Sequence, residues 1–246
     1  MKAMVLAAGL GTRLRPLTND RPKALVQVAN RTLLEITLAR LKEFGVEDVI
    51  VNVHHFADLV VDFLQANNNF GMHIEISREK ELLDTGGGLK KAGWFFESDS
   101  DPFILHNVDV ISTIDLAEMV RFHNDNHGLA TLAVKDRPSS RLLIFDEQLQ
   151  LCGRRLVREQ KIETVRASQQ PLELAFAGIH VISPELVSRM PEQGAFSIIN
   201  SYLGLAGRGE KILGFRADQY RWRDLGTVES LREATAESGS GVQESI

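Results

Sequence analysis

The residues best suited to chemistry stand near the start of the chain, in Ala7-Ala8-Gly9-Leu10-Gly11-Thr12-Arg13-Leu14-Arg15-Pro16. The apolar run from Lys2 to Ala7 leads into them and reads as a buried strand. A glycine-rich turn after a strand lets backbone N–H groups approach anionic oxygens, because no Cβ stands in the way. Gly9 and Gly11 invite the dinucleotide pattern G-x-G-x-x-G, but that pattern fails twice. Its third glycine position holds Leu14, and the second strand ends Val51-Asn52-Val53-His54, with no acid to hold a ribose. No Gly-Lys-Ser/Thr follows, so a Walker loop is excluded too. What the loop does carry is cations: Arg13, Arg15 and, in Arg21-Pro22-Lys23-Ala24-Leu25-Val26, Lys23. A bare G-x-G is most often a solvated turn. With these cations it suits an anionic ligand.

The elements that must position these residues alternate between strand and helix. Leu34, Leu38 and Leu41 recur at helical spacing, joined by Leu33, Ile36 and Phe44, with Gly45 as a stop. Glu47 to Val53 is a β-branched strand, and Leu59, Val60, Phe63 and Leu64 form a second helical stripe. Met72 to Ser77 and Phe103 to Val108 read as strands, with a short helix after Gly86-Gly87-Gly88 between them. This order predicts an α/β fold with a doubly wound, mostly parallel mixed sheet and right-handed crossovers. The rhythm weakens after about residue 137. Arg141 to Asp146 and Leu149 to Cys152 suggest an antiparallel hairpin, Ala175 to Ile182 a longer strand, and Phe196 to Ala206 and Thr227 to Glu237 two helices. The second half is expected as an α+β extension on the same sheet, making 1–237 one domain and 238–246 a flexible tail. Ligands of such sheets bind outside the carboxyl ends of the strands.

Bulk properties narrow the partners. The 246 residues are 43% hydrophobic and 25% charged, as in an ordinary globular protein. A net charge of -5 argues against a nucleic-acid partner. The first apolar run is too short for a signal peptide or membrane span, and no hexapeptide repeat follows the domain. Cys152 is the single cysteine, reads as a core residue, and points to a reducing cytoplasm. His54 and His55 are adjacent, so on a strand they face opposite ways and cannot form a metal pair.

Ala7-Ala8-Gly9-Leu10-Gly11-Thr12-Arg13-Leu14 followed by Pro22-Lys23 resembles the signature of the sugar-phosphate nucleotidyltransferases. The likeness runs from Met1 to about Ala234 and is strongest to the short, single-domain branch, which includes uridylyltransferases and guanylyltransferases. It implies a Rossmann-like fold, about 1–136 binding the nucleotide and about 137–237 the sugar. It implies NTP and a sugar 1-phosphate as substrates and Mg2+ as cofactor, held by Asp109 after the strand Phe103 to Val108 and by Asp224 before Leu225-Gly226-Thr227. Arg13 would hold the leaving phosphates, and Lys23 would bridge the α-phosphate and the sugar phosphate. Ala8, Gly9, Gly11 and Thr12 would line the nucleotide. Thr85 would cap a helix whose Gly86 and Gly87 face the base. Asn107, Gly178 and Asn200 would meet the sugar.

The nucleophile in such a reaction is a phosphate monoester, already largely ionised at neutral pH, so a missing Ser/His/Asp or Cys/His set is expected. One departure concerns the Glu-Lys pair with which many relatives grip the sugar phosphate. Gly153-Arg154-Arg155-Leu156-Val157-Arg158-Glu159-Gln160-Lys161 has no clean match, and Lys161 is the nearest candidate. Two rival readings keep the loop: a phosphocholine-type cytidylyltransferase and a non-catalytic subunit that senses nucleotide sugar. The base, the sugar and the choice of monomer or homodimer stay open.

Overall fold

The computed structural model describes residues 1–239. Lys2–Leu6 (β1) forms a strand buried through its middle, as its unbroken apolar run requires. Gln27–Val28 (β2) and Arg31–Thr32 (β3) make a small antiparallel pair. They lead into Leu33–Glu43 (α1), where the Thr32 hydroxyl accepts from the Glu35 N–H as an N-cap. Asp48–Val53 (β4), Ala57–Ala66 (α2), His73–Arg78 (β5), Asp84–Ala92 (α3) and Phe103–Asn107 (β6) continue the alternation. Val110–Ser112 (β7) follows a tight turn, and Leu116–Asp125 (α4), capped by Asp115, precedes Ala130–Lys135 (β8). Arg141–Phe145 (β9), Leu151–Leu156 (β10), Lys161–Thr164 (β11) and Leu172–Ile182 (β12) are antiparallel neighbours. Glu185–Arg189 (α5), Ile198–Gly207 (α6), Ile212–Arg216 (β13), Trp222–Asp224 (β14) and Val228–Gly239 (α7) complete the described chain.

β1 pairs in parallel with β4 and β6, and β4 with β5, as the strand-helix alternation predicts. β12 joins antiparallel to β6 and β8, and β13 lies parallel to β8, so the order is β13-β8-β12-β6-β1-β4-β5 with β12 alone reversed. The first residues of β12 pair instead with β9, hanging the β9-β10-β11 meander on the same sheet. Period-two alternation divides the core between the faces. Ala3, Val5, Val49 and Val51 pack with α1, α2 and α4; Met4, Ile50, Phe103 and Leu105 pack with α3 and α6. Each of these side chains from valine upward in size contributes about 1.5–3 kcal/mol when fully buried.

Two boundaries differ from expectation. α3 contains the three glycines rather than following them. α7 runs on to Gly239, past the expected start of the tail, and the rest of that tail, 240–246, lies outside the described residues. α4 buries Leu116, Met119, Val120 and His123 along one face.

Candidate active site

The glycine loop leaves β1 at its carboxyl end. Gly11 has φ 63, and a Cβ there would stand 2.9 Å from Thr18 Cγ2 and 3.1 Å from Lys23 Cβ. That close approach, with the Thr18 hydroxyl donating to Gly11 O at 2.9 Å, brings the Pro22-Lys23 segment against the loop. Leu14 is fully buried and anchors the turn, which leaves Thr12, Arg13 and Arg15 exposed. At Gly9 an added Cβ would meet nothing within 4 Å, so the loop is open on that side.

The start of the loop is braced from behind. Asn52 Oδ1 accepts from Ala7 N–H at 2.7 Å, and Asn52 Nδ2 donates to Glu79 Oε1 at 2.7 Å. Glu79 Oε2 accepts from Leu83 N–H at 2.9 Å. Asn52 and Glu79 are both buried, so the carboxylate is satisfied by two donors and links β1, β4 and the entry to α3. Neither residue was singled out from the sequence, because partners on different strands leave no local spacing to read.

The two aspartates meet through a strand pair. β7 and β14 run antiparallel with Val110 opposite Asp224, and Leu225 N–H donates to Asp109 O at 2.8 Å. Asp224 Oδ1 accepts from Gly226 N–H at 2.6 Å. Gly226 sits at the centre of the cluster: a Cβ there would lie 2.6 Å from Asp224 Oδ1, 2.7 Å from Arg13 Nη2 and 3.2 Å from Asp109 Oδ2. The Lys23 ammonium forms an ion pair with Asp109 Oδ2, with side chains only 14% and 12% exposed. Arg13, Lys23, Asp109 and Asp224 therefore converge. Gly226 belongs with them, although its place after Asp-Leu was the only clue in the sequence.

The glycines of α3 meet a packing demand within the chain. Gly86 and Gly87 N–H groups both donate to Phe196 O, at 2.9 and 3.3 Å, and Phe196 N–H donates to Leu83 O at 3.0 Å. A Cβ on Gly86 would run into the Phe196 ring, one on Gly87 into Gly194 O, and one on Gly88 would stand 2.8 Å from Asn52 Nδ2 and Glu79 Oε1. The amides expected to read a base are thus engaged within the chain, and the small residues let the 194–198 segment close on the helix. Thr85 is not the cap. The helix starts at Asp84, whose φ is 59, and the Thr85 hydroxyl accepts from Ile198 N–H at 2.9 Å.

The expected sugar contacts fall into two groups. Gly178 has φ 79 where β12 bulges, and a Cβ there would meet Val110 Cγ2 at 2.6 Å and Asn107 Nδ2 at 3.1 Å. Asn107 and Gly178 therefore lie beside the turn that carries Asp109. Asn200 is engaged elsewhere: its Oδ1 accepts from Arg154 Nη1 at 2.8 Å, and Glu163 holds the same guanidinium at 2.7 Å. Lys161 is exposed on β11. His54 Nδ1 lies 3.0 Å from Glu79 O, Cys152 is buried, and Trp222 is half-buried against the core.

No group of three or more His, Cys, Asp or Glu residues gathers as a metal cage among the described residues. Two carboxylates are what Mg2+ takes when phosphate oxygens and water complete its octahedron. Asp109 and Asp224 flank one glycine-lined cradle, so the donor set fits such an ion.

The family model for nucleotidyl transferases matches residues 2–142. An N-acetylmuramate alpha-1-phosphate uridylyltransferase from Caulobacter vibrioides is 34% identical over 241 residues, covering 95% of both chains. A mannose-1-phosphate guanyltransferase from Yarrowia lipolytica is 30% identical over 96% of this chain; the match spans 63% of that relative. Among solved structures, HddC from Yersinia pseudotuberculosis complexed with GMP-PN superposes with a TM-score of 0.76 at 22% identity, covering 96% of this chain and 99% of that one, which shows a shared fold. The chain is a nucleotidyltransferase: it belongs to the nucleotidyl transferase family.

Proposed function

We propose that the protein transfers a nucleoside monophosphate from an NTP to a sugar 1-phosphate, giving a nucleotide sugar and pyrophosphate. The observation that carries this reading is the convergence of Arg13, Asp109 and Asp224 around Gly226, with Lys23 paired to Asp109. A sugar-phosphate oxygen attacks the α-phosphorus, the bond from that phosphorus to the bridging β-phosphate oxygen breaks, and pyrophosphate leaves. The attacking monoester has a second pKa of about 6, so no residue need take a proton from it. The barrier lies in bringing two polyanions together, and the chain answers with positioned charge. Arg13 is assigned to the leaving phosphates. Lys23, which phosphate oxygens would compete for against Asp109, is assigned to the α-phosphate. Mg2+ held by Asp109 and Asp224 would neutralise charge on the phosphate oxygens when bound.

The Caulobacter relative matches over 95% of both chains, so UTP with N-acetylmuramate α-1-phosphate is the pair proposed first, and GTP with mannose 1-phosphate the next. The reading includes a cytoplasmic setting and a product destined for cell-envelope polysaccharide. Among the described residues no helix is long and apolar enough to cross a membrane.

The test is pyrophosphate release with Mg2+ across UTP, GTP, CTP and dTTP against sugar 1-phosphates and phosphocholine. One sugar 1-phosphate pair should dominate, and Asp109→Asn and Lys23→Ala should abolish it. Activity only with phosphocholine, or none in a protein that still binds nucleotide, overturns the reading.

A further inference from the structure

We infer that Arg137 binds the phosphate of the second substrate, taking the part that the middle of the chain leaves without a Glu-Lys pair. This inference rests on the sugar 1-phosphate reading and supplies a residue for it. Arg137 follows the carboxyl end of β8, in the connection to β9. Its guanidinium carbon lies 4.0 Å from the centroid of the Trp222 ring. That ring is itself pinned to β12, where Trp222 Nε1 donates to Ala177 O at 2.7 Å. Arg137 Nη2 donates to Phe176 O at 2.9 Å and Nη1 to Pro138 O at 3.3 Å, while the buried Nε has no hydrogen-bond partner.

These contacts hold a cation beside the site without neutralising it. Phe176 and Ala177 immediately precede Gly178, the bulge packed against Asn107. Trp222 and Asp224 are two residues apart on β14 and so share a face, which puts the guanidinium on the side of the metal-candidate carboxylate. Burial pulls the Arg137 pKa below its ordinary value and Asp224 pushes it back up, so the two groups feel each other. A guanidinium presents five N–H donors in a planar fork matched to phosphate, and the stacked ring and backbone carbonyls fix its plane while leaving donors over.

The arginines of β10, in contrast, are held by carboxylates. Arg154 is held by Glu163 and Asn200, and Arg155 by Glu173 at 2.6 Å. Arg13 stands at the Gly226 cradle, where the triphosphate is assigned. A second polyanion approaching along Gly178 and Asn107 would meet Arg137.

The measurement is calorimetric titration of protein loaded with Mg2+ and α,β-methylene-UTP or α,β-methylene-GTP. The probes are N-acetylmuramate α-1-phosphate, mannose 1-phosphate and glucose 1-phosphate, with the methyl glycosides of the same sugars as uncharged controls. Arg137→Ala should weaken the sugar 1-phosphate that binds by about ten- to a hundredfold, the worth of a charge-assisted hydrogen bond. It should leave nucleotide affinity and the weak glycoside affinity unchanged. Arg137→Lys, which keeps the charge and loses the fork, should fall between. Unchanged sugar-phosphate affinity in Arg137→Ala overturns this inference alone. So does an equal loss of Tm and of nucleotide affinity in both variants, the mark of a strut for Trp222. If no sugar 1-phosphate binds the loaded wild type, the sugar 1-phosphate reading falls and this inference with it.

Discussion

Gly226→Ala separates catalysis from folding more sharply than removal of any charged group. The new Cβ would stand 2.6 Å from Asp224 Oδ1 and 2.7 Å from Arg13 Nη2, where ordinary contact begins at 3.4 Å, so each atom must retreat by about 0.7–0.8 Å. Asp109 Oδ2, at 3.2 Å, needs to give only slightly. Gly226 is not among the residues with positive φ, so the alanine backbone is unstrained. The atoms that must move are the ends of side chains, and overpacking of that kind costs about 1 kcal/mol of stability or a little more. The same displacement acts on the groups that would hold the metal and the leaving phosphates. A misplacement near 1 Å costs about 10²-fold in rate, or roughly 2.7 kcal/mol of barrier. Steady-state pyrophosphate release should therefore show kcat down about a hundredfold and a raised half-saturating Mg2+ concentration, with Tm lowered by only a few degrees. Activity within threefold of wild type at unchanged Mg2+ dependence would refute the claim that Arg13, Asp109 and Asp224 work as one cluster around Gly226.

Lys23→Ala removes a charge assigned to the transition state and should lower kcat by at least about a hundredfold with circular dichroism unchanged. Gly178→Ala places a side chain at φ 79 and 2.6 Å from Val110 Cγ2, and urea denaturation should show a loss of about 1–3 kcal/mol. Gly204→Ala is the opposite case: it lies within α6 with nothing within 4 Å of the added Cβ, so it should stabilise by about 0.5–1 kcal/mol and leave kcat/KM alone. Burial pushes the pKa values of His106, His123 and His180 down to about 4, about 4 and about 3, from 6.5. The folded protein then keeps them neutral while the unfolded chain gains protons, so stability is full above about pH 6.5 and falls as pH drops toward 4. Each histidine contributes a slope approaching about 1.4 kcal/mol per pH unit. Denaturation curves at pH 6.5 and 5.5 should show His123→Gln with a smaller loss than wild type.

What the sequence disclosed were features whose meaning is local. The strand ending at Asn107 with Asp109 beyond it, the loop from Gly9 to Arg13, and the Asp224-Leu225-Gly226 turn all lie where their order in the chain predicts. The doubly wound sheet followed from alternating hydrophobic periods, which need no knowledge of contacts. The contacts that escaped the reading share one cause. Gly86, Gly87 and Gly88 announced a close approach but could not say to what, and the partners are Phe196 and Gly194 on one side and Asn52 with Glu79 on the other. Asn200 was right in its helix, yet its amide oxygen is taken by an arginine from β10. Arg137 passed as a boundary residue because Trp222, Phe176 and Asp224 reach it only after folding.

Transfer of the nucleotide is tested most directly by following label from the preferred NTP carrying 32P at either the α or the γ position, incubated with Mg2+ and the sugar 1-phosphate identified by the substrate survey. Attack on the α-phosphorus sends α-label into the nucleotide sugar and γ-label into pyrophosphate, in equal amounts, and Asp109→Asn and Asp224→Asn should stop both. The γ-label arriving on the sugar, or α-label released as free nucleoside monophosphate at the same rate with and without the sugar phosphate, would contradict nucleotidyl transfer.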